Sequence, residues 1–376
     1  MDSKNKARVI AFYLPQYHPI PENDAVWGKG FTEWTNVAKA KPLFKGHVQP
    51  HIPADLGFYD LRLPIIREQQ AAMARNAGIE GFMYWHYWFG NGRMLLEKPF
   101  EEVLSSGKPD FPFCLGWANH SWTTKTWHGA NGLNLHIGTE YIAKMEYLGK
   151  QDYKAHFNYC LPAFRDKRYI RVDDKPLFYI WAPHDHPEMK LFIDYWQELA
   201  LQNGLKGIHF VANVNSREGG YKKYINMGFS AVNYNTMSDA LTKAAGSTFV
   251  RRFKTLFSWY IPGVKLNKYD YSKVVNNMKS IYDTDECCYP TIIPGYDRTP
   301  RAGRAAVILS NPNPKAFKKH VRDTIKSVEN KSDEHKIIFL KSWNEWAEGN
   351  YMEPDLQYGH AFLDMLQSEI KDAYNE

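Results

Sequence analysis

Short apolar runs alternate with longer amphipathic stretches along most of this chain. The runs at 8–14, 80–84, 111–117, 177–181, 208–213, 231–234, 291–294 and 337–343 are too short for ordinary helices. Turn residues bound them, so they read as buried strands. Between them, 63–77, 141–164, 189–203, 271–282, 314–328 and 357–374 repeat their apolar positions at helical spacing. Eight strands with helices in the gaps predict an α/β chain with a parallel sheet, closed as a (β/α)₈ barrel. The whole of 1–376 is expected to be one such domain, with long insertions at 20–60 and 236–270.

In a barrel of this kind, function sits where strands end. Aromatic and polar residues cluster at those ends. Tyr13, Gln16 and His18 follow the first run; Tyr84 and His86 end the second; Trp117, Asn119 and Trp122 follow the third. Asn213, then Tyr296 and Asp297, stand after later runs. The insertion 20–60 contributes Glu33 and Trp34 and is expected to cover the barrel mouth. The last run empties into Trp343, Asn344, Glu345, Trp346, Glu348 and Glu353, the most informative stretch of the chain. Indole faces suit sugar rings, and their low dielectric can hold one carboxyl protonated while another stays ionised. Glu345 and Glu348 are therefore the candidate catalytic pair, and the other residues named are candidates for substrate binding. The bland alternative, a surface loop with solvated acids, loses ground because Trp and Asn rarely crowd a strand end without a reason.

Composition narrows the function classes. Aromatic residues make up 15% of the chain, with 12 Trp and 24 Tyr, which favours a flat ligand such as carbohydrate. The net charge of +6 is mild for 376 residues, and no nucleic-acid recognition motif accompanies it. Cys114, Cys160, Cys287 and Cys288 have no C-x-x-C spacing, so neither a disulfide framework nor a zinc site is expected. The start of the chain is charged and lacks a signal-peptide core, and no stretch is long and apolar enough to span a bilayer. A cytoplasmic protein is the expectation. In the second insertion, Phe249, Phe253, Leu256 and Phe257 share one helical face, flanked by Arg251, Arg252 and Lys254. Residues 249–260 read either as an ordinary packed helix or as one lying on an anionic bilayer.

Several ordered motifs carry a resemblance. Y-L-P-Q-Y-H-P-I-P-E-N, G-K-G-F-T-E-W-T-N-V, D-L-G-F-Y-D-L-R, Y-W-F-G-N-G-R-M-L-L-E-K-P, W-A-N-H-S-W and W-N-E-W-A-E-G-N-Y-M-E-P-D together resemble the WbsX-like family. That family is related to glycoside hydrolase family 99, the endo-α-mannosidases and mannanases, and the resemblance runs from about Val9 to Leu366. It implies a (β/α)₈ barrel, endo-action on α-mannoside-type linkages, retention of anomeric configuration, and no metal or other cofactor. It also implies roles. Glu345 would take the proton of the sugar's own 2-hydroxyl, whose oxygen forms a 1,2-anhydro sugar, and Glu348 would protonate the departing oxygen. The partner implied is a glycan or lipid-linked oligosaccharide of surface-polysaccharide metabolism, such as O-antigen, lipopolysaccharide or capsule; if residues 249–260 lie on a bilayer, it would be met at the inner face of the cytoplasmic membrane. The sequence departs from its relatives at His120 and His128, where they tend to carry acids, which puts mannose itself in question.

Other readings have features of their own. A nucleotide-sugar transferase would show a metal-binding D-x-D, and Asp283-Thr284-Asp285 is present, but it precedes a strand and reads as a solvated turn. Transglycosylation is compatible with the same pair of acids, since an acceptor hydroxyl can replace water. An inert binding barrel would keep the tryptophans and lose an acid. A metal hydrolase could draw on His18, His86, His120 and His128, but their spacing matches no ligand motif.

Overall fold

A computed structural model describes residues 6–124, 140–260 and 267–373, without the side chains of 258–260. His128 lies outside the described residues. The strands form a parallel barrel: β1 (Arg8–Tyr13), β2 (Gly81–Trp88), β3 (Phe113–Trp117), β4 (Lys175–Ile180), β5 (His209–Asn215), β6 (Ala231–Asn235), β7 and β8 (Ile337–Leu340). β7 comes in two pieces, Cys288–Tyr289 and Thr291–Ile292, either side of Pro290. The first piece pairs with β6 and the second with β8. Proline has no N–H to give to a ladder, but its carbonyl still accepts from Phe339 N at 2.9 Å. β8 then pairs with β1, Arg8 opposite Ile337, and this closes the circle.

Alternation along each strand sends one side chain into the barrel and the next toward the helices. Phe12, Trp85, Tyr179 and Phe339 meet inside, with the Phe12 ring 5.1 Å from Trp85, 5.3 Å from Tyr179 and 5.4 Å from Phe339. Gly116 faces Met83 so closely that a Cβ there would lie 2.7 Å from the methionine methyl. The interior is thus a packed plug that forms the floor of whatever sits above it. The opposite parity packs outward, as Tyr84 does against Phe100 of the Lys98–Ser106 helix at 5.4 Å.

Three expected helices are shorter than their apolar periodicity. Within 141–164, Tyr141–Ala143 is a strand on Trp122–Thr123, and the helix is Lys150–Arg165, starting after Gly149 at φ 77. The 271–282 stretch is helical only over Tyr271–Val275, and the last helix is Ala361–Asp372. The 20–60 insertion forms two short helices, Pro21–Trp27 and Glu33–Lys39, the second packed against the loop after β8. Among the described residues, no helix is long and apolar enough to cross a membrane.

Candidate active site

After β8 the chain turns back on itself. Asn344–Glu345 pairs antiparallel with Asn350–Tyr351, and the tip between them is a single 3₁₀ turn, Trp346–Glu348. Side chains three apart eclipse on such a turn, so Glu345 at its cap and Glu348 at its end come to the same side. Gly349 closes the turn at φ 55, where a Cβ would lie 2.8 Å from Asp297. The hairpin is stapled to the loop after β1. The Asn344 side chain accepts from Leu14 N at 2.8 Å and donates to Leu14 O at 3.0 Å, and the Tyr17 hydroxyl donates to the Asn344 carbonyl.

Both carboxylates line a cavity of about 270 Å³ at the C-terminal mouth of the barrel. Its apolar walls are Trp85, Tyr87, Trp122, Trp181 and Tyr296, and Arg298, Arg301, Lys341 and His120 add polar ones. Trp85 and Trp181 meet edge to face at 5.4 Å, and Tyr87 and Trp122 at 5.0 Å, so flat faces are held at fixed angles.

The two acids occupy unequal environments. Burial and the neighbouring Glu348 charge push the Glu345 carboxyl up to about 7. Ser342 Oγ donates to it at 3.0 Å. Glu348 is equally buried, but Arg301 donates to it at 2.7 Å and Arg298 lies 3.3 Å away, and the two guanidiniums hold it down at about 2. Arg301 is itself fixed by Glu33, to which it donates at 2.7 Å, and the same Glu33 oxygen accepts from Ala347 N at 3.0 Å. When the resting pair holds one proton, that proton is therefore on Glu345 and the charge on Glu348, with Glu345 losing it as pH rises through about 7. This is the reverse of the protonation that the family resemblance requires for Glu345 as base and Glu348 as acid.

Of the residues expected around this pair, Trp122 and Tyr296 line the cavity. Trp117 and Asn119 do not; their neighbours Ala118 and His120 take the wall. Strand parity is the reason. Trp117 points outward and donates to Trp88 O at 2.9 Å, and Asn119 donates to Ala182 O at 2.7 Å. Tyr13, Tyr84 and His86 also face outward: Tyr13 donates to Gln70 at 2.6 Å, and His86 sits 2.8 Å from His156 of the outer Lys150–Arg165 helix. Trp343, Trp346 and Trp34 are packing residues, with Trp346 stacked on Tyr351 at 3.8 Å and Trp34 at 5.4 Å from Trp346. Glu353 accepts from Tyr59, Gln70 and Trp346 at 2.9, 2.6 and 2.6 Å, so protein donors hold its oxygens. Gln16 and His18 are buried in the loop after β1 and line none of the cavities described here. Asp297 faces a neighbouring cavity of about 250 Å³, where it meets His47 at 2.6 Å and Gln49 at 2.9 Å. Asn213 lines a third cavity, described below. The expectation of a solvated Asp283 is corrected: it is buried and accepts from Ser280 N at 2.8 Å, at the N-terminal side of β7.

Arg301, Lys341, Trp85, Tyr87 and Trp181 were not expected as site residues. Counting by two along the buried strands, starting from an anchored inner residue, would have found the aromatics. Among the described residues, one group could offer three ligands to a metal, His86, His156 and Cys160. It is fully buried outside the barrel, and the two imidazoles hydrogen-bond each other directly. That arrangement fits a satisfied core pair.

A family model described as "Glycosyltransferase WbsX" matches residues 9–366. Two curated relatives, each called "Uncharacterized protein WxcX" and from Xanthomonas campestris pv. campestris strains B100 and ATCC 33913, are 34% identical over 368 residues. Those matches cover 98% of this chain, which spans about half, 50%, of the length of each relative. Among solved structures, a "Glycoside hydrolase-like protein" is similar at TM-score 0.59 and 16% identity, covering 98% of this chain and 95% of that one. A GH99 endo-alpha-mannosidase from Bacteroides thetaiotaomicron is similar at TM-score 0.55 and 15% identity, covering 100% and 98%. At such identities the likeness shows the fold, an α/β barrel of the GH99 kind.

Proposed function

The chain belongs to the WbsX family, and on that premise we propose that it is a carbohydrate-active enzyme whose Glu345 and Glu348 act on a glycosidic bond by a retaining, substrate-assisted route. In this reading the 2-hydroxyl oxygen of the substrate attacks its own anomeric carbon and gives its proton to one carboxyl. The other carboxyl protonates the departing oxygen, and a 1,2-anhydro sugar results. Water then opens the anhydro ring in hydrolysis, or an acceptor hydroxyl opens it in transfer. The observation that supports this is the unequal setting of two acids on one turn inside an aromatic-walled cavity, Glu348 bonded to Arg301 and Glu345 to Ser342. Acid–base catalysis needs one proton held and one site vacant at the same pH.

The resting charges favour Glu345 as donor to the leaving group and Glu348 as acceptor. Both arginines oppose proton uptake by Glu348, so the acceptor step is the harder half of the work. The pH dependence of kcat/KM for a substrate with an activated aryl leaving group, which needs no proton, separates this from the opposite assignment, because it reports the free enzyme's base alone. With Glu345 as donor, that rate does not change as pH passes through about 7. With Glu345 as base, it rises through the same window.

The substrate is proposed to be an α-mannoside-type or related glycan, or a lipid-linked oligosaccharide, of surface-polysaccharide metabolism. His120 on the cavity wall favours a sugar that differs from the mannose of the family 99 relationship. A second observation bears on where such a substrate is met. In the Thr248–Tyr260 helix, Phe249 is 78% and Leu256 58% exposed, with Arg252 exposed beside them. An exposed apolar face flanked by positive charge suits the inner, anionic leaflet of the cytoplasmic membrane. Arg251 is not part of that contact, because it turns inward to Ser238 and Thr242.

A further inference from the structure

Beside the carboxylate cavity lies another of about 320 Å³, between the ends of β5 and β6 and the Thr248–Tyr260 helix. Trp181, Tyr296 and Lys341 belong to the walls of both, so the two spaces adjoin. The second cavity is lined by Asn213, Asn215 and Asn235 from the strand ends and by Arg217, Arg251 and Lys341, with no Asp or Glu on its wall among the described residues. Among the described residues, none of these three cations forms an ion pair with a carboxylate; Arg251 donates instead to Ser238 and Thr242 hydroxyls, each at 2.9 Å. The Lys341 ammonium stands over the rings of Trp181 and Tyr296, at 5.5 and 5.7 Å. Asn213 donates to Trp181 O at 3.0 Å, while its buried carbonyl oxygen has no protein partner among the described residues.

Arg217 and Arg251 stand on one wall without a carboxylate on it and repel one another, while Lys341, whose charge Glu345 and Glu348 feel across the shared boundary, adds to the positive field. Burial first, and then the Arg217 charge, disfavour the charged form of Arg251, and the acid that Arg251 feels, Asp239, is not on the wall. An anion in the cavity would relieve that repulsion, and arginine forks are suited to carboxylate and phosphate oxygens. The neighbouring asparagines can serve hydroxyls.

We propose that this second cavity is a subsite for an oxyanion-bearing part of the substrate, either the carboxylate of an acidic sugar or a phosphate or diphosphate group, held by Arg217, Arg251 and Lys341. It rests on the reading that the adjoining cavity seats the reacting sugar. A substrate would thus run from the carboxylate pair, past Trp181 and Tyr296, to an anionic end.

The test is calorimetric titration of the full chain at low ionic strength with sodium pyrophosphate, with sodium glucuronate, and with neutral glucose as control. Arg217→Gln and the double change Arg217→Gln/Arg251→Gln are compared with the parent, each checked for folding by its melting curve. Arg217 is exposed, so its change should leave the fold intact even if the Arg251 change does not. One or both anions should bind with one-to-one stoichiometry. Each lost guanidinium should weaken binding by about tenfold or more, the usual effect of losing a charge-assisted contact. Tighter pyrophosphate identifies a phosphate end, and tighter glucuronate an acidic sugar. Absence of binding by both anions, or binding indifferent to Arg217→Gln, overturns the proposal. Anion binding is measured without turnover, so it can fail while the carboxylate pair stands, or hold while that pair proves inactive.

Discussion

Replacing Arg301 by methionine removes a buried cation that bonds both Glu33 and Glu348, each at 2.7 Å. The side chain is 7% exposed, and the two carboxylates it serves are 0% and 12% exposed, so little water can substitute for it. Breaking a buried pair by removing one partner costs about 3–5 kcal/mol, because a charge is left behind without compensation. Unfolding entropy of about 2.1 cal/mol/K per residue makes the chain's total about 0.8 kcal/mol/K, so the melting temperature should fall by about 4–6 °C at pH 7. The loss should depend on pH with a fixed sign. Without the guanidinium, burial raises the folded pKa values of Glu33 and Glu348 above their unfolded ones. Stability is then lost as pH rises from the unfolded value toward the raised one, and recovered as pH falls through the same window. Differential scanning calorimetry of parent and variant at pH 5 and pH 8 reads this directly. A deficit under about 1 °C, or one no larger at pH 8 than at pH 5, refutes the clamp.

The remaining expectations concern turnover and binding. Glu345→Gln should lower the rate by roughly 10²–10⁴ with an ordinary leaving group and much less with an activated aryl one that needs no proton, while Glu348→Gln should cost similarly with both. Steady-state kinetics on the two leaving groups checks the asymmetry, and the reverse pattern would restore the division of labour implied by the resemblance. A 2-deoxy substrate should bind and not turn over; cleavage at full speed rules out the anhydro route. Sedimentation with anionic liposomes should show binding that weakens with salt and is lost in Arg252→Glu with Phe249→Ser; binding absent at low salt leaves Thr248–Tyr260 as a helix without a membrane role.

The barrel was legible because its strands are short apolar runs in register with amphipathic helices, and all eight positions were readable this way. Their inner and outer faces were not. β2 is buried from Gly81 to Trp88 at every position, so hydrophobicity carries no alternation there and nothing marks Trp85 rather than Tyr84 as inward. Trp117 was placed at the cavity by its residue type, while parity gives that wall to Ala118 and His120. The helical stretch 141–164 hid a strand because Tyr141–Ala143 keeps helical apolar spacing until Gly149 interrupts it. Glu345 and Glu348 were legible as a pair from their spacing and their tryptophans. Which of the two keeps the proton was not, because that comes from Arg301 and Glu33, which are 268 residues apart in sequence and meet only in the folded barrel.

The most direct test of the central claim is turnover of surface polysaccharide. Purified protein is incubated with polysaccharide from its own source in water enriched in oxygen-18, and the products are read by mass spectrometry for the parent, Glu345→Gln and Glu348→Gln. Shortened glycans carrying the heavy oxygen indicate hydrolysis, and lengthened or rearranged glycans without it indicate transfer. Either outcome, lost in both variants, is the result predicted here. Glycan conversion that persists undiminished in both variants would contradict the assignment of the chemistry to this pair.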